Sequence, residues 1–330
     1  MVDFNFHPHG SEKSASRKMI NNVPVVSPEM SFEEVHKYIA KNIDHFDTIS
    51  QIYVVDSEKK LTGFFHVKDL LKLPKETIVG QIFKKAVVTV KPDFSQEHAA
   101  HLAITHNLKA LPVVDENNVF LGIIPSENIL AIIYRETRED ILKFAGIHKK
   151  HMEIDDILQI SLFDAFKHRI PWLVIGLLGG LLAASVTSYF DKTLEKNIAV
   201  VAFIPLIVYM ADAVGTQIQS FAVRDLSISN KLDFSKYFSK QFLIVLSLAL
   251  FIGTMLAIII FFLYANIKLS IVLWLAITFT IISSMISGLI IPIIFTKLKQ
   301  DPANASGPIG TIMQDLLSIL IYFYIASVLL

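Results

Sequence analysis

Ile309-Gly310-Thr311-Ile312-Met313-Gln314-Asp315-Leu316-Leu317-Ser318-Ile319-Leu320-Ile321-Tyr322-Phe323-Tyr324-Ile325 is long and apolar enough, with the residues up to Leu330, to lie in a bilayer. It is interrupted by a single carboxylate, Asp315. Ionised groups inside transmembrane segments are costly, so they face a bundle interior or a water-filled path and mark routes for ions. This stretch reads first as part of something that moves cations.

Composition agrees. Of 330 residues, 53% are hydrophobic and 18% charged, and the mean hydropathy is +0.52. Most charges precede Pro171; beyond it they cluster in short connections between long apolar runs. Five runs approach the roughly 20 residues that about 30 Å of hydrocarbon requires of a helix. They lie near Ile170–Phe190, Ile198–Val223, Phe242–Tyr264, Ser270–Phe295 and Ile309–Leu329. Lys167, Arg169, Arg224, Lys231, Lys236, Lys240, Lys297 and Lys299 fall on one side, against Lys192, Lys196 and Lys268 on the other. The positive-inside rule then puts the soluble half and the N-terminus in the cytoplasm and the C-terminus outside, in a plasma or inner membrane.

Other classes recede. A formal net charge of zero without a basic, aromatic-interleaved patch gives no sign of nucleic-acid binding. The absence of cysteine excludes disulfides and thiol chemistry. No apolar signal core precedes Lys18, and residues 1–18, with His7 and His9, read as a disordered tail. No phosphate loop, nucleophile motif or metal-hydrolase motif suggests an enzyme.

Within the spans, Gly176, Gly180 and Ala184 recur every four residues, as do Ser284 and Gly288, giving small faces for close helix packing. Pro205 and Pro292 remove helical donors and predict kinks. Asp212 is a second intramembrane carboxylate, followed by Gly215, Gln217 and Gln219. It reads either as part of a cation route shared with Asp315 or as a buried hydrogen-bonding group, including a bridge to Arg224.

The soluble half contains a repeat. Ile20-Asn21-Asn22-Val23-Pro24-Val25-Val26, a helix near Phe32–Asn42, Ile52–Val55, a turn at Asp56–Lys60, Leu61-Thr62-Gly63-Phe64-Phe65 and Lys68–Lys72 form one copy. Ala86-Val87-Val88-Thr89-Val90-Lys91-Pro92, Gln96–His106, Ala110–Asp115, a turn at Glu116–Asn118, Phe120-Leu121-Gly122-Ile123-Ile124 and Ser126–Ile133 form the other. Strand, helix, strand, turn, strand, helix occurs twice. The pattern resembles a pair of CBS repeats over residues 19–135, which implies a pseudo-two-fold α/β unit and an adenine-nucleotide site. In that pattern a hydroxyl and an Asp follow the Gly-hydrophobic-hydrophobic strand. Here the first copy retains Asp69 but has His66, and the second has Ser126-Glu127-Asn128, so Asp69 and Asn128 are the candidate nucleotide contacts.

Residues 136–169 are charged and helical in pattern, a connector between the soluble and membrane regions. With His168-Arg169-Ile170-Pro171-Trp172-Leu173, Met210 to Gln217 with Arg224, and Asp301-Pro302-Ala303 through Asp315, the chain resembles the MgtE family of magnesium channels. The resemblance implies a CBS pair followed by an all-α domain of five transmembrane helices at 170–330, a homodimer with a central pore, and a plug-like connector. It implies that Asp315 holds Mg²⁺ in the pore; beside this, helix spacing places carbonyls near Thr311 and Gly307, one and two turns earlier on the same face, where they are expected to orient the ion's water shell, and Asp212 is expected to add to the route. Regulatory Mg²⁺ sites are expected among Glu139, Asp140, Asp155 and Asp156, where a cation would relieve repulsion and favour a closed state.

Three departures qualify the resemblance. The helical domain that usually precedes the CBS pair is expected to be missing. Ala211-Asp212-Ala213 replaces a Gly-Gly-Asn, and Gly307 stands where a side-chain amide is common. A divalent-cation channel, a proton- or sodium-coupled carrier of Co²⁺ or another divalent ion, and a membrane-tethered nucleotide sensor remain open.

Overall fold

The structure, a computed structural model, describes residues 13–85, 88–145, 147, 158, 161–191, 195, 198–228, 233–298, 301–305 and 308–330. His7, His9, Gly307, Asp155 and Asp156 lie outside the described residues. The chain divides into two compact units, Met1–Thr137 and Arg138–Leu330.

In the first unit, β1 (Val25–Val26), α1 (Phe32–Asn42), β2 (Gln51–Val55), β3 (Leu61–His66), α2 (Val67–Lys72) and β4 (Lys84–Lys85) form the first copy. The sheet order is β1-β2-β3-β4, with β1 parallel to β2 and the other pairs antiparallel. Helix α1 begins at a capping box: Ser31 Oγ accepts from the Glu34 amide, and Glu34 Oε2 accepts from the Ser31 amide at 2.8 Å. Its Phe32, Val35 and Ile39, on one face, bury against Ile52, Val54 and Phe65. The second copy contains α3 (Gln96–Thr105), β5 (Ala110–Val114), β6 (Phe120–Pro125) and α4 (Ser126–Phe144).

The copies are interlocked. Lys84–Lys85, just before the second copy, add an edge to β3, and Ile20, at the start of the first, bridges to Ile123 on β6. The glycine of each central strand permits this approach. A β-carbon would lie 2.3 Å from the Lys84 carbonyl oxygen at Gly63 and 2.3 Å from the Ile20 carbonyl oxygen at Gly122. The two turns match as well. Asp56 Oδ1 accepts from the Glu58 and Lys60 amides, and Asp115 Oδ1 accepts from the Asn117 and Val119 amides. Tyr53 stacks on Phe120 between the copies, ring centroids 5.0 Å apart.

The expected disordered tail over residues 1–18 is corrected from Lys13 onward. Ala15 and Ser16 are buried, their amides donate to the Phe94 and Pro92 carbonyls, and Lys13 pairs with Glu136 at 2.9 Å. A polar sequence packs here because its backbone groups find partners on the second copy. Helix α4 also runs without a break from Ser126 into the region expected to be a separate connector.

The second unit contains α5 (Leu162–Tyr189), α6 (Ile198–Ala202), α7 (Ile204–Ile228), α8 (Phe234–Tyr264), α9 (Ile267–Met285), a π-helical turn (Ile286–Ile290), α10 (Ile291–Lys297), a 3₁₀ turn (Pro302–Ala305) and α11 (Pro308–Leu329). They supply five segments long and apolar enough to cross a membrane: Leu162–Tyr189, Ile198–Leu226, Phe234–Tyr264, Ile267–Lys297 and Ile309–Leu329. Span Ile267–Lys297 forms the centre, with 67% of its apolar window buried, against 0% for Leu162–Tyr189. Helix α9 packs on α8, α7 and α11, whereas α5 packs on α11.

Pro205 sits in the first turn of α7, where a missing donor costs little. Pro292 follows the π-helical turn at the start of α10. A proline ring collides with the carbonyl four residues earlier, here Gly288, and the wider turn relieves that collision. Since the bilayer offers no hydrophobic drive between helices, close approach of small residues carries the packing.

Candidate cation path

Asp315 lies on α11, half-buried, and lines a cavity of about 370 Å³. Thr311, one turn earlier on the same face, lines it too, together with Gly176, Gly179, Gly180 and Ala183 of α5 and Phe144 and Ala145 at the end of α4. The glycines divide into two roles. Gly179 is needed for packing, because a β-carbon there would lie 2.6 Å from Ile312. At Gly176 and Gly180 a β-carbon would meet nothing within 4 Å. These two keep the wall beside Asp315 open rather than joining helices of this chain.

Asp212, half-buried on α7, is close enough to Asp315 for the carboxylates to repel. The alternative bridge from Asp212 to Arg224 does not form. Arg224 pairs with Asp225 at 2.8 Å, Asp225 accepts from the Tyr237 hydroxyl at 3.0 Å, and the guanidinium lies over the Phe221 ring. The structure therefore puts Thr311 and Asp315 on one cavity, while Asp212, on α7, is not among the residues that line it; Gly307 lies outside the described residues.

The direction of Asp315 is fixed by its neighbour. Gln314, rotated about a quarter turn around the helix, is buried against α9 and the π-helical turn. Its Oε1 accepts from Ser287 Oγ at 2.8 Å, while Nε2 lies 3.3 Å from the Thr280 carbonyl and 3.1 Å from Ser318 Oγ. An amide satisfied on both sides locks α11 about its axis, so Gln314 faces the core and Asp315 the cavity. Sequence reasoning missed this role. Its signal was Thr280, Ser283, Ser284 and Ser287 on an otherwise apolar span, a polar stripe that needs an amide partner.

Glu139 and Asp140 meet an ammonium. Lys143 Nζ lies 2.7 Å from Glu139 Oε1 and 3.8 Å from Asp140 Oδ1, and 2.5 Å from Asp301 Oδ2 on the loop before α11.

In the CBS pair, Asp69 Oδ2 accepts from the His66 amide at 3.1 Å, closing the first turn of α2. Burial, with the Lys68, Lys84 and Lys109 charges, holds the His66 imidazole below its ordinary pKa against the opposing pull of Asp69. Asn128 donates from Nδ2 to the Lys18 carbonyl at 2.9 Å. Both candidate nucleotide residues thus have local structural partners, and the charges of Lys68, Lys84 and Lys109 act on His66 beside the first.

Known proteins share the sequence organisation of this chain. A family model for divalent cation transporters matches residues 204–325, and CBS domain models match residues 15–76 and 79–135. Magnesium transporter MgtE of Bacillus subtilis (strain 168) is 32% identical over 316 residues, 95% of this chain and 69% of that protein. Magnesium transporter MgtE of Enterococcus faecalis (strain ATCC 700802 / V583) is 32% identical over 88% of this chain and 63% of its own length. Among solved structures, the cytosolic domain of the Mg²⁺ channel MgtE in complex with ATP is 32% identical, with a TM-score of 0.36, covering 37% of this chain and 49% of that one. With five membrane-length helices behind a CBS pair and this likeness along almost its whole length, the chain is a multi-pass membrane protein of the MgtE family of divalent cation transporters.

Proposed function

We propose that this chain conducts Mg²⁺ through the path lined by Asp315, Thr311 and the open glycine face of α5, as a homodimer. The observation that carries the reading is a half-buried carboxylate opening onto a cavity inside a membrane unit, with a second carboxylate near enough to act on it. Mg²⁺ gives up its waters reluctantly and demands octahedral geometry, so a pore holds it through few carboxylates and retained waters. The names of the relatives, magnesium transporters, point to the same ion.

Helix α5 supports the dimer. Its apolar window has no buried position, which leaves a face that a second copy can cover. A pair of Asp315 carboxylates across a two-fold axis would match one divalent charge. The lysine and arginine distribution supports a cytoplasmic N-terminus.

The CBS pair is the regulatory part in this reading. An adenine nucleotide is proposed to contact Asp69, with phosphates drawn by the positive charges of Lys68, Lys84 and Lys109. Asn128 is the weaker counterpart. Because Lys143 already faces Glu139 and Asp140, Mg²⁺-dependent closure through acidic connector residues is left chiefly to Asp155 and Asp156.

A second reading, a proton-coupled carrier of Mg²⁺ or Co²⁺, draws on the closeness of Asp212 to Asp315, since two interacting carboxylates can share a proton. Reconstituted liposomes separate the readings. Flux of Mg²⁺ that is lost in Asp315→Asn and independent of a pH gradient supports the channel. Flux that follows the gradient and loses that dependence in Asp212→Asn supports the carrier. Adenylate binding with no flux of Mg²⁺, Co²⁺, Ca²⁺ or Na⁺ leaves only a sensor.

A further inference from the structure

Lys143 sits near the C-terminal end of α4, with its side chain 8% exposed. Its ammonium is surrounded by carboxylates from two places in the chain. Glu139 and Asp140 lie one turn earlier on α4, whereas Asp301 lies on the loop that enters the final span, far away in sequence. Asp301 is itself held, because its Oδ1 accepts from the Ala303 amide at 2.9 Å and so organises the 3₁₀ turn Pro302–Ala305. The two residues that follow Lys143, Phe144 and Ala145, line the cavity of Asp315. The contact therefore joins the end of the connector to the loop preceding α11, next to the residues that narrow the cavity.

We infer that Lys143 is a resident cation that latches the connector to the Asp301 loop and holds Phe144 and Ala145 in the Asp315 cavity, restricting flux. The inference rests on reading that cavity as the ion path. A buried ammonium taken from its carboxylates is left desolvated and uncompensated, which makes the contact two-state rather than gradually yielding. A covalently attached cation also does not dissociate into bulk solution. A connector closed by a diffusible ion opens when that ion is depleted; one closed by Lys143 stays shut until the helix itself is moved.

The chain contains no cysteine, so Ile141→Cys and Leu298→Cys, both at exposed positions, allow two spin labels to report the distance between connector and loop in the full-length protein. In the Lys143 background and in Lys143→Arg, the expected distance distribution is narrow and unchanged by millimolar Mg²⁺ or by chelator. In Lys143→Gln it lengthens and broadens, and liposome flux at low Mg²⁺ rises several-fold. An unchanged distance in Lys143→Gln, or a distance in the parent that follows Mg²⁺, overturns the latch. A lengthened distance with unchanged flux overturns its control of the cavity. Absence of flux from every variant refutes the ion path, while the distance measurement still decides the latch.

Discussion

Gly288 lies against Gly215 so closely that a β-carbon on Gly288 would stand 2.6 Å from the Gly215 carbonyl oxygen. The obstacle is backbone, which cannot swing aside as a side chain can. Gly288→Ala is therefore expected to separate α7 from the π-helical turn and destabilise the membrane unit by about 1–3 kcal/mol, the usual scale of overpacking. Gly176→Ala adds the same methyl group into open space, so it should leave thermal unfolding in detergent unchanged while slowing Mg²⁺ flux. Equal thermal losses in both variants would refute the distinction.

Gln314→Leu keeps the approximate volume but removes the amide that joins α11 to Ser287 and the Thr280 carbonyl. Hydrogen bonds between membrane helices contribute about 0.6–2 kcal/mol each, so a modest fall in unfolding temperature is expected. The larger effect should be on transport, because α11 is then free to turn Asp315 away from the cavity. Flux should fall at least about tenfold, the equivalent of about 1.4 kcal/mol, with Asp315 still in place.

Asp212→Asn removes one of two mutually repelling carboxylates. Uptake at limiting Mg²⁺ should weaken while the maximal rate is retained, since Asp315 still faces the cavity. Concentration dependence of liposome uptake checks this, and complete loss of transport would promote Asp212 to an essential part of the path.

His66 titrates against its surroundings. Its folded-state pKa lies below the ordinary imidazole value, with burial the largest cause. Folding therefore favours the neutral ring: the contribution to stability is complete above about pH 6.5 and is lost as pH falls through the depressed folded-state value. Hydrogen exchange of the β3 amides in the full-length protein should accelerate as pH is lowered through this window, after correction for intrinsic exchange. The excess acceleration should vanish in His66→Gln. His66→Thr, which restores the hydroxyl usual at this position, should tighten adenylate binding, and Asp69→Asn should weaken it.

The larger architecture was legible because its signals are long or repeated. Five apolar runs each meet a length set by the bilayer, and two copies of one strand-helix order mark the CBS pair. Asp315 was legible because a lone carboxylate in such a run is chemically conspicuous. What aims it was not. Gln314 is one of several amides near spans, and its role depends on a register between α11 and α9 that no local pattern specifies. The π-helical turn before Pro292 was visible only as an expected kink. Gly176, Gly179 and Gly180 look alike in sequence, yet one packs on Ile312 and two face open space. Lys143 stood inside a visibly charged helix, but its distant partner, Asp301, becomes evident only when the chain is folded.

The most direct test of the proposed path is Mg²⁺ uptake into liposomes by matched amounts of folded wild type, Asp315→Asn and Asp315→Glu. A conducting carboxylate predicts robust uptake by wild type, loss to background in Asp315→Asn, and partial recovery in Asp315→Glu, with equal unfolding temperatures for all three. Uptake by Asp315→Asn at the wild-type rate would contradict the account.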